Sequence, residues 1–317
     1  MLFARHGHDV AMIARTPAEA AILAAERENR RHRRGLPFPD SLSVTAEQRP
    51  VSEATIAVLA VPSATLAANL ERYAPSISAQ TTVMSATKGL EAATGRRMSE
   101  LIAGAGIAAE AIVALSGPNF ADEIVLGLPA ATVVAGKDHE RARSVQTALT
   151  SAVFRVYTSD DVAGVEFGGA LKNVVAIARG MADGLGLGQN AKAALMTRAL
   201  AEITRLGQAL GANPLTFLGL SGIGDLIATC ESNISRNYRF GLGLASGKTT
   251  AQALGEIDGV VEGLETAKAV NALQERAGVE MPISKELAAV LFEGKDPKAS
   301  MLDLMMRAPR GERESMS

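Results

Sequence analysis

Cysteine occurs once in the 317 residues, at Cys230, so no disulfide can close within the chain and nothing asks for an oxidising compartment. Histidine is scarce: His6 and His8 stand together, but no third ligand is near them, and His32 and His139 are far away, so no metal site is expected. No uninterrupted apolar run approaches the ~18–20 residues of a membrane-spanning helix. The N-terminus has no basic segment ahead of a long apolar core, so it does not read as a secretory signal. A cytoplasmic protein without membrane insertion is expected. Charge of one sign is lacking too: the formal net charge is −2, which gives no general electrostatic case for nucleic acid as a partner.

Apolar residues make up 47% of the chain, enough for an ample core at this length. After a short helical turn stopped by Gly7, a buried strand fits residues 9–14, and Pro17 opens a helix expected to run to Arg34. Its basic end, Arg30-Arg31-His32-Arg33-Arg34, reads as a solvated helix terminus favoured by the dipole. Further apolar strands fit 55–61, 82–86, 112–115, 131–135 and 153–157, with helical stretches between several of them, such as 64–73 and 97–103. Such alternation predicts an α/β fold, a largely parallel sheet covered on both faces. Beyond about residue 160 the pattern is helical. Asn190 is placed to cap a long helix to Leu210, and further helices fit 262–277, 284–292 and 298–307. The division expected is 1–160 for the α/β part and 161–317 for an all-helical part. The last ten residues, 308–317, are polar and read as a frayed tail.

In open α/β sheets ligands sit outside the carboxyl ends of strands, so the segments after those ends carry the candidates. Lys88 follows one strand, in A-T-K-G-L, and Gly117, Pro118 and Asn119 make a tight turn after another. Lys172 and Asn173 lie among small and β-branched residues in G-G-A-L-K-N-V-V-A. A lysine within such a run either snorkels to water or loses hydration, and desolvation brings a lysine down from about 10.4 towards use as a base. Arg236, between Ser235 and Asn237, has the geometry for bidentate phosphate recognition. Two glycine-rich matches fail: G-L-S-G-I-G at 219–224 follows a helix, not a strand, and Ser221 lacks a glycine at position 223.

Taken together, A-T-K-G-L-E at 86–91, S-G-P-N-F-A at 116–121, F-R-V-Y at 154–157, G-G-A-L-K-N at 168–173, G-I-G-D-L at 222–226, S-R-N at 235–237, V-V-E-G at 260–263 and G-V-E-M-P-I at 278–283 resemble the bacterial-type NAD(P)-dependent glycerol-3-phosphate dehydrogenases. The order and spacing of the set, running from about Ala4 to Arg313, carry the resemblance. It implies a Rossmann-like sheet followed by a helical domain, and interconversion of glycerol 3-phosphate and dihydroxyacetone phosphate to supply phospholipid synthesis. By similarity Lys172 is the proton acceptor and donor. Substrate contacts fall on Lys88, Gly117, Asn119, Lys172, Asp225, Ser235, Arg236 and Asn237. Cofactor contacts fall on Arg15, Lys88, Ala121, Arg236, Val260 and Glu262. The cofactor is NADP or NAD, and Arg15 favours NADPH because a cation suits a 2′-phosphate. A homodimer is compatible with the family.

One departure is large. The family begins with a strand and a G-x-G-x-x-G loop, which this chain does not contain. By βαβ proportions roughly 20 residues are expected to be missing, which leaves the neighbouring strands with open edges and the cofactor weakly held. Two other readings follow: a catalytically impaired or cofactor-free relative, and another Rossmann-plus-helical reductase of 2-keto or 2-hydroxy acids, such as a ketopantoate reductase. Asn119 also departs, since the family more often has Ser or Thr there.

Overall fold

The computed structural model describes residues 1–31, 34–309, 311 and 312. His32 and Arg33 of the basic run, and Arg310 and residues 313–317 of the tail, lie outside the described residues. Among the described residues seven strands form two sheets. β1 (Val10–Ile13) pairs in parallel with β2 (Leu42–Thr45). β3 (Ile56–Leu59), β4 (Thr82–Ser85), β5 (Ile112–Ser116), β6 (Ala130–Gly136) and β7 (Phe154–Ser159) lie side by side in that order. All neighbours in this second sheet are parallel except β5 and β6, so the sheet is mixed, not uniformly parallel. Among the described residues no strand joins β1 to β3. β2 was not expected: L-S-V-T is short and interrupted by polar residues, and pairing with β1 makes it a strand.

The helices of this half are α1 (Leu2–Arg5), α2 (Pro17–Glu26), α3 (Arg49–Glu53), α4 (Leu66–Tyr73), α5 (Met98–Gly104), α6 (Ala121–Val125) and α7 (His139–Leu149). Thr16 caps α2 by accepting from the Glu19 amide at 3.1 Å. α2 stops at Glu26, well short of Arg34, because Arg27 turns to a left-handed φ of 54°. Its guanidinium donates to the carbonyls of Leu42 and Pro39, each at 2.6 Å, and so clips the following loop to the start of β2. The described residues of the basic run, Arg30, Arg31 and Arg34, therefore lie in turns beyond the helix, and the helix-dipole reading does not hold for them.

The second half contains α8 (Val162–Gly184), α9 (Gln189–Ala209), α10 (Asp225–Cys230), α11 (Arg236–Ala245), α12 (Thr250–Gly255), α13 (Glu262–Ala277), α14 (Pro282–Phe292) and α15 (Pro297–Met305). Asn190 is the second residue of α9, not its cap, which is Gly188. α8 is the axis of this half. It starts at Val162, where Asp161 accepts from the Gly164 amide at 2.9 Å, and it is buried almost continuously from Gly164 to Ala182. A helix apolar on all sides belongs in a core, and here α10, α11, α13 and the turn Leu220–Gly224 close around it. None of the described helices is long and apolar enough to cross a membrane.

The α8–α11 crossing is close because it is made of glycine. A Cβ on Gly241 would overlap the Ile177 carbonyl oxygen, and one on Gly180 would overlap that of Tyr238. Backbone cannot move aside as a flexible side chain can. Gly241→Ala is therefore expected to destabilise the protein by about 3 kcal/mol, despite alanine's better helix propensity. Gly255→Ala, at the end of α12 with open space around it, is the control, expected to be neutral or mildly stabilising. Urea midpoints of the two variants decide the point, and equal midpoints would contradict it.

Candidate active site

Strand carboxyl ends supply one wall of the site. After β4 the chain runs through Thr87, whose hydroxyl donates to the carbonyls of Val61 (2.8 Å) and Leu59 (3.3 Å) and so fixes the segment against the end of β3. Lys88 follows. After β5 the chain turns at Gly117, with φ of 142° and only 3.0 Å between an added Cβ and the Thr132 Cα, so glycine is needed there. Thr132 donates to the Ser116 carbonyl at 2.8 Å and accepts from the Asn119 amide at 3.4 Å, which aims the Asn119 oxygen at Lys88.

Helices supply the other wall. α8 carries Lys172. The turn Leu220–Gly224 lies directly on α8, since a Cβ on Gly168 would overlap the Ser221 carbonyl oxygen. That contact delivers Asp225, at the start of α10, to the side of Lys172.

The two walls meet at Asp225, which is only 2% exposed. One carboxylate oxygen accepts from Lys88 Nζ at 2.7 Å and the other from Lys172 Nζ. Lys88 also donates to the Gly117 carbonyl (2.8 Å) and Asn119 Oδ1 (2.7 Å). Lys172 also donates to Thr229 Oγ1 at 2.7 Å. Two ammonium groups thus share one buried carboxylate, leaving a local charge of +1 when both are protonated. Burial pushes the Lys88 pKa down to about 8; the Lys172 charge adds to this and Asp225 opposes it. An ammonium has three N–H donors. Lys88 has all three engaged, whereas Lys172 has two engaged and one left for an incoming oxygen.

The remaining sequence candidates fall elsewhere. Arg236, the first residue of α11, is exposed and lies over Gly259, with no hydrogen bond or ion pair to any described residue. Its expected companions face inward. Ser235 caps α11 by accepting from the Tyr238 amide at 3.3 Å. Asn237 is buried, donates to Asn173 Oδ1 at 3.0 Å and accepts from the Gly263 amide at 2.9 Å, tying α8, α11 and α13 together. Glu262, the first residue of α13, accepts from both the amide (3.2 Å) and the hydroxyl of Ser63 after β3, and burial raises its pKa. Val260 is exposed and follows the Gly259 that Arg236 covers; Ala121 is exposed at the start of α6. Arg15 stands beyond the end of β1, exposed, paired with Glu19 at 3.0 Å and joined by no hydrogen bond to the two lysines.

So the structure brings Lys88, Gly117, Asn119, Lys172 and Asp225 into one contact set, with Arg236, Val260 and Glu262 as a second group and Arg15 apart. Sequence reasoning missed Thr229, Thr132 and Ser63. Only Thr229 left a signal: it is one helical turn past Asp225, on the same face. The first group lies at the carboxyl ends of β4 and β5, where ligands of open α/β sheets sit.

Residues 1–142 match the profile of the NAD-dependent glycerol-3-phosphate dehydrogenase N-terminus, and residues 161–302 match that of the C-terminus. Glycerol-3-phosphate dehydrogenase [NAD(P)+] of Desulfitobacterium hafniense is 42% identical, over 98% of this chain and 88% of the relative. Its counterpart in Pseudoalteromonas translucida is 44% identical, over 98% and 93%. The crystal structure of glycerol-3-phosphate dehydrogenase from Coxiella burnetii superposes with a TM-score of 0.90 at 36% identity, covering 96% of this chain and 94% of that one. A ketopantoate reductase from Ralstonia eutropha shares the fold alone, with a TM-score of 0.57 at 14% identity. The expected N-terminal truncation is not borne out by these comparisons. With both profiles in order along it and relatives matched over nearly all of its length, the chain belongs to the NAD-dependent glycerol-3-phosphate dehydrogenase family.

Proposed function

We propose that the protein is an oxidoreductase interconverting sn-glycerol 3-phosphate and dihydroxyacetone phosphate with NAD(P)(H). The observation that carries the reading is the Lys172 ammonium, buried on Asp225 and Thr229 with one N–H free. Bound NADPH supplies the hydride for C2 of the ketone. As charge develops on the C2 oxygen, the free N–H of Lys172 stabilises it and delivers the proton. In the reverse direction Lys172 takes that proton back. Lys88 holds Gly117 and Asn119 in place and contributes the second cation. Arg236, with no internal partner, is the group for the phosphate, at a distance from the reacting carbon. Val260, Glu262, Ala121 and Arg15 are the cofactor side, Arg15 favouring NADPH. Ser235 and Asn237 act through the placement of Arg236. The chemistry lies where residues 1–160 meet residues 161–317, the two domains of this reading. A cytoplasmic homodimer feeding phospholipid synthesis fits the family.

The test is NADPH oxidation with dihydroxyacetone phosphate, beside ketopantoate, by the wild type and Arg236→Ala. Turnover is expected with the phosphate ester alone. Arg236→Ala is expected to raise its KM by about 10–100-fold, the loss of a charge-assisted contact. Turnover of ketopantoate instead, or an unchanged KM, would overturn the assignment.

A further inference from the structure

Beside Lys88 a small cavity of about 10 Å³ is lined by Ser85, Thr87, Lys88, Ser116, Glu166 and Gly169 among others. Ser85 is 1% exposed and Ser116 2%, and neither hydroxyl has a hydrogen-bond partner. Orphaned buried hydroxyls are rare, and two facing one cavity need a common explanation. Strand register provides it. Ser85 pairs with Ala114 across β4 and β5, and Ser116 is two residues beyond Ala114, so both serines point to the same sheet face. α8 covers that face at Gly169, where a Cβ would overlap the Ser116 hydroxyl. Gly169, the residue of α8 directly over Ser116, therefore has no side chain with which to satisfy the serines.

We propose that Ser85 and Ser116 together hold one buried water molecule, and that this water positions Lys88. Two unpartnered hydroxyls face the cavity, and its volume is near the ~10–15 Å³ that one water requires. A buried water makes about three hydrogen bonds. The serines supply two, and the wall offers a third. Glu166 Oε1 accepts only from the Ser99 amide, at 2.7 Å, and keeps a lone pair. Ser85 ends β4 three residues before Lys88, and Ser116 immediately precedes Gly117, whose carbonyl accepts from Lys88 at 2.8 Å. A water bridging the two strand ends thus fixes the separation on which the Lys88–Gly117 bond depends. Ser85 and Ser116 are thus positioning residues, acting on Lys88 through the water.

The inference bears on the reductase reading, but its test needs no turnover. A crystal structure of the full chain that shows ordered waters is expected to carry one peak within hydrogen-bond distance of both serine oxygens. In Ser85→Ala and Ser116→Ala the peak is expected to vanish. A lysine NMR titration is then expected to place Lys88 about half a pH unit below its wild-type value, since a loosened Gly117 carbonyl stabilises the ammonium less. Ser85→Val, which fills the cavity and removes the hydroxyl, is expected to give the same shift without loss of thermal stability. An empty cavity in the wild type, or a Lys88 titration unmoved in all three variants, would overturn the proposal. Failure of the activity assay with these results intact would instead count against the substrate assignment.

Discussion

Lys172→Ala is expected to lower kcat for dihydroxyacetone phosphate reduction by about 10³-fold or more, with KM changed only a few-fold. The reason is the count of donors. Lys88 spends its three N–H groups on Gly117, Asn119 and Asp225, so it cannot take over the C2 oxygen without giving up a contact that holds the site. Thr229 is a hydroxyl of ordinary acidity and lacks the charge. The variant is also expected to fold, which makes the result readable: Asp225 keeps Lys88 as its partner, so one buried carboxylate still faces one ammonium. The phosphate end is the part proposed for Arg236, which stays where it is on α11. The measurement is steady-state kinetics with unchanged circular dichroism as the check on folding. A kcat within tenfold of wild type would remove Lys172 from the chemistry and transfer the proton to another group.

Much of this site could be read from the sequence, but for uneven reasons. Lys88, Gly117 and Asn119 follow strands whose apolar runs are strong signals, and the rule that ligands sit at strand carboxyl ends marks them. Lys172 stands out as a charge in an apolar helix. Asp225 lies 53 residues from Lys172, and no local pattern links them; the resemblance did, and the glycine contact between α8 and the turn before α10 is the physical cause. Ser235 and Asn237 show the opposite limit. The resemblance implied substrate contacts for both, and in the structure one caps a helix and the other ties three helices together, which no local pattern in the sequence announced. Sequence does not say which way a polar side chain in a motif faces. The early end of α2 was hidden for a related reason: a basic run has good helix propensity, and the competing use of Arg27 on three carbonyls of a later loop is tertiary.

Asp225→Asn separates charge from shape, since the amide fits where the carboxylate did. It leaves two ammonium groups buried beside each other with no counter-charge, and an expected loss of about 3 kcal/mol in stability near neutral pH follows from breaking a buried pair. The pH dependence is more telling. Lys88 has its pKa at about 8 in the folded protein against an ordinary lysine value of 10.5. Between those values the unfolded chain binds more protons than the native one, so the contribution of Lys88 to stability rises with pH across that window and is smallest below it. Asp225 is the group that holds this pKa up, against burial and against Lys172. Without the negative charge the folded value falls further, so the rise in stability begins below pH 8. Urea melts of both proteins from pH 6.5 to 10 are expected to converge as pH rises, because the penalty in the variant is a penalty on protonated lysines. Activity is expected to behave the other way. In the wild type, kcat/KM for dihydroxyacetone phosphate reduction falls above about pH 8 as Lys88 loses its charge, and in Asp225→Asn that fall moves to lower pH. Melts that differ by the same amount at every pH would mean that Asp225 acts through packing. Convergent melts with a displaced activity limb would mean that it is there to keep Lys88 charged within a buried site.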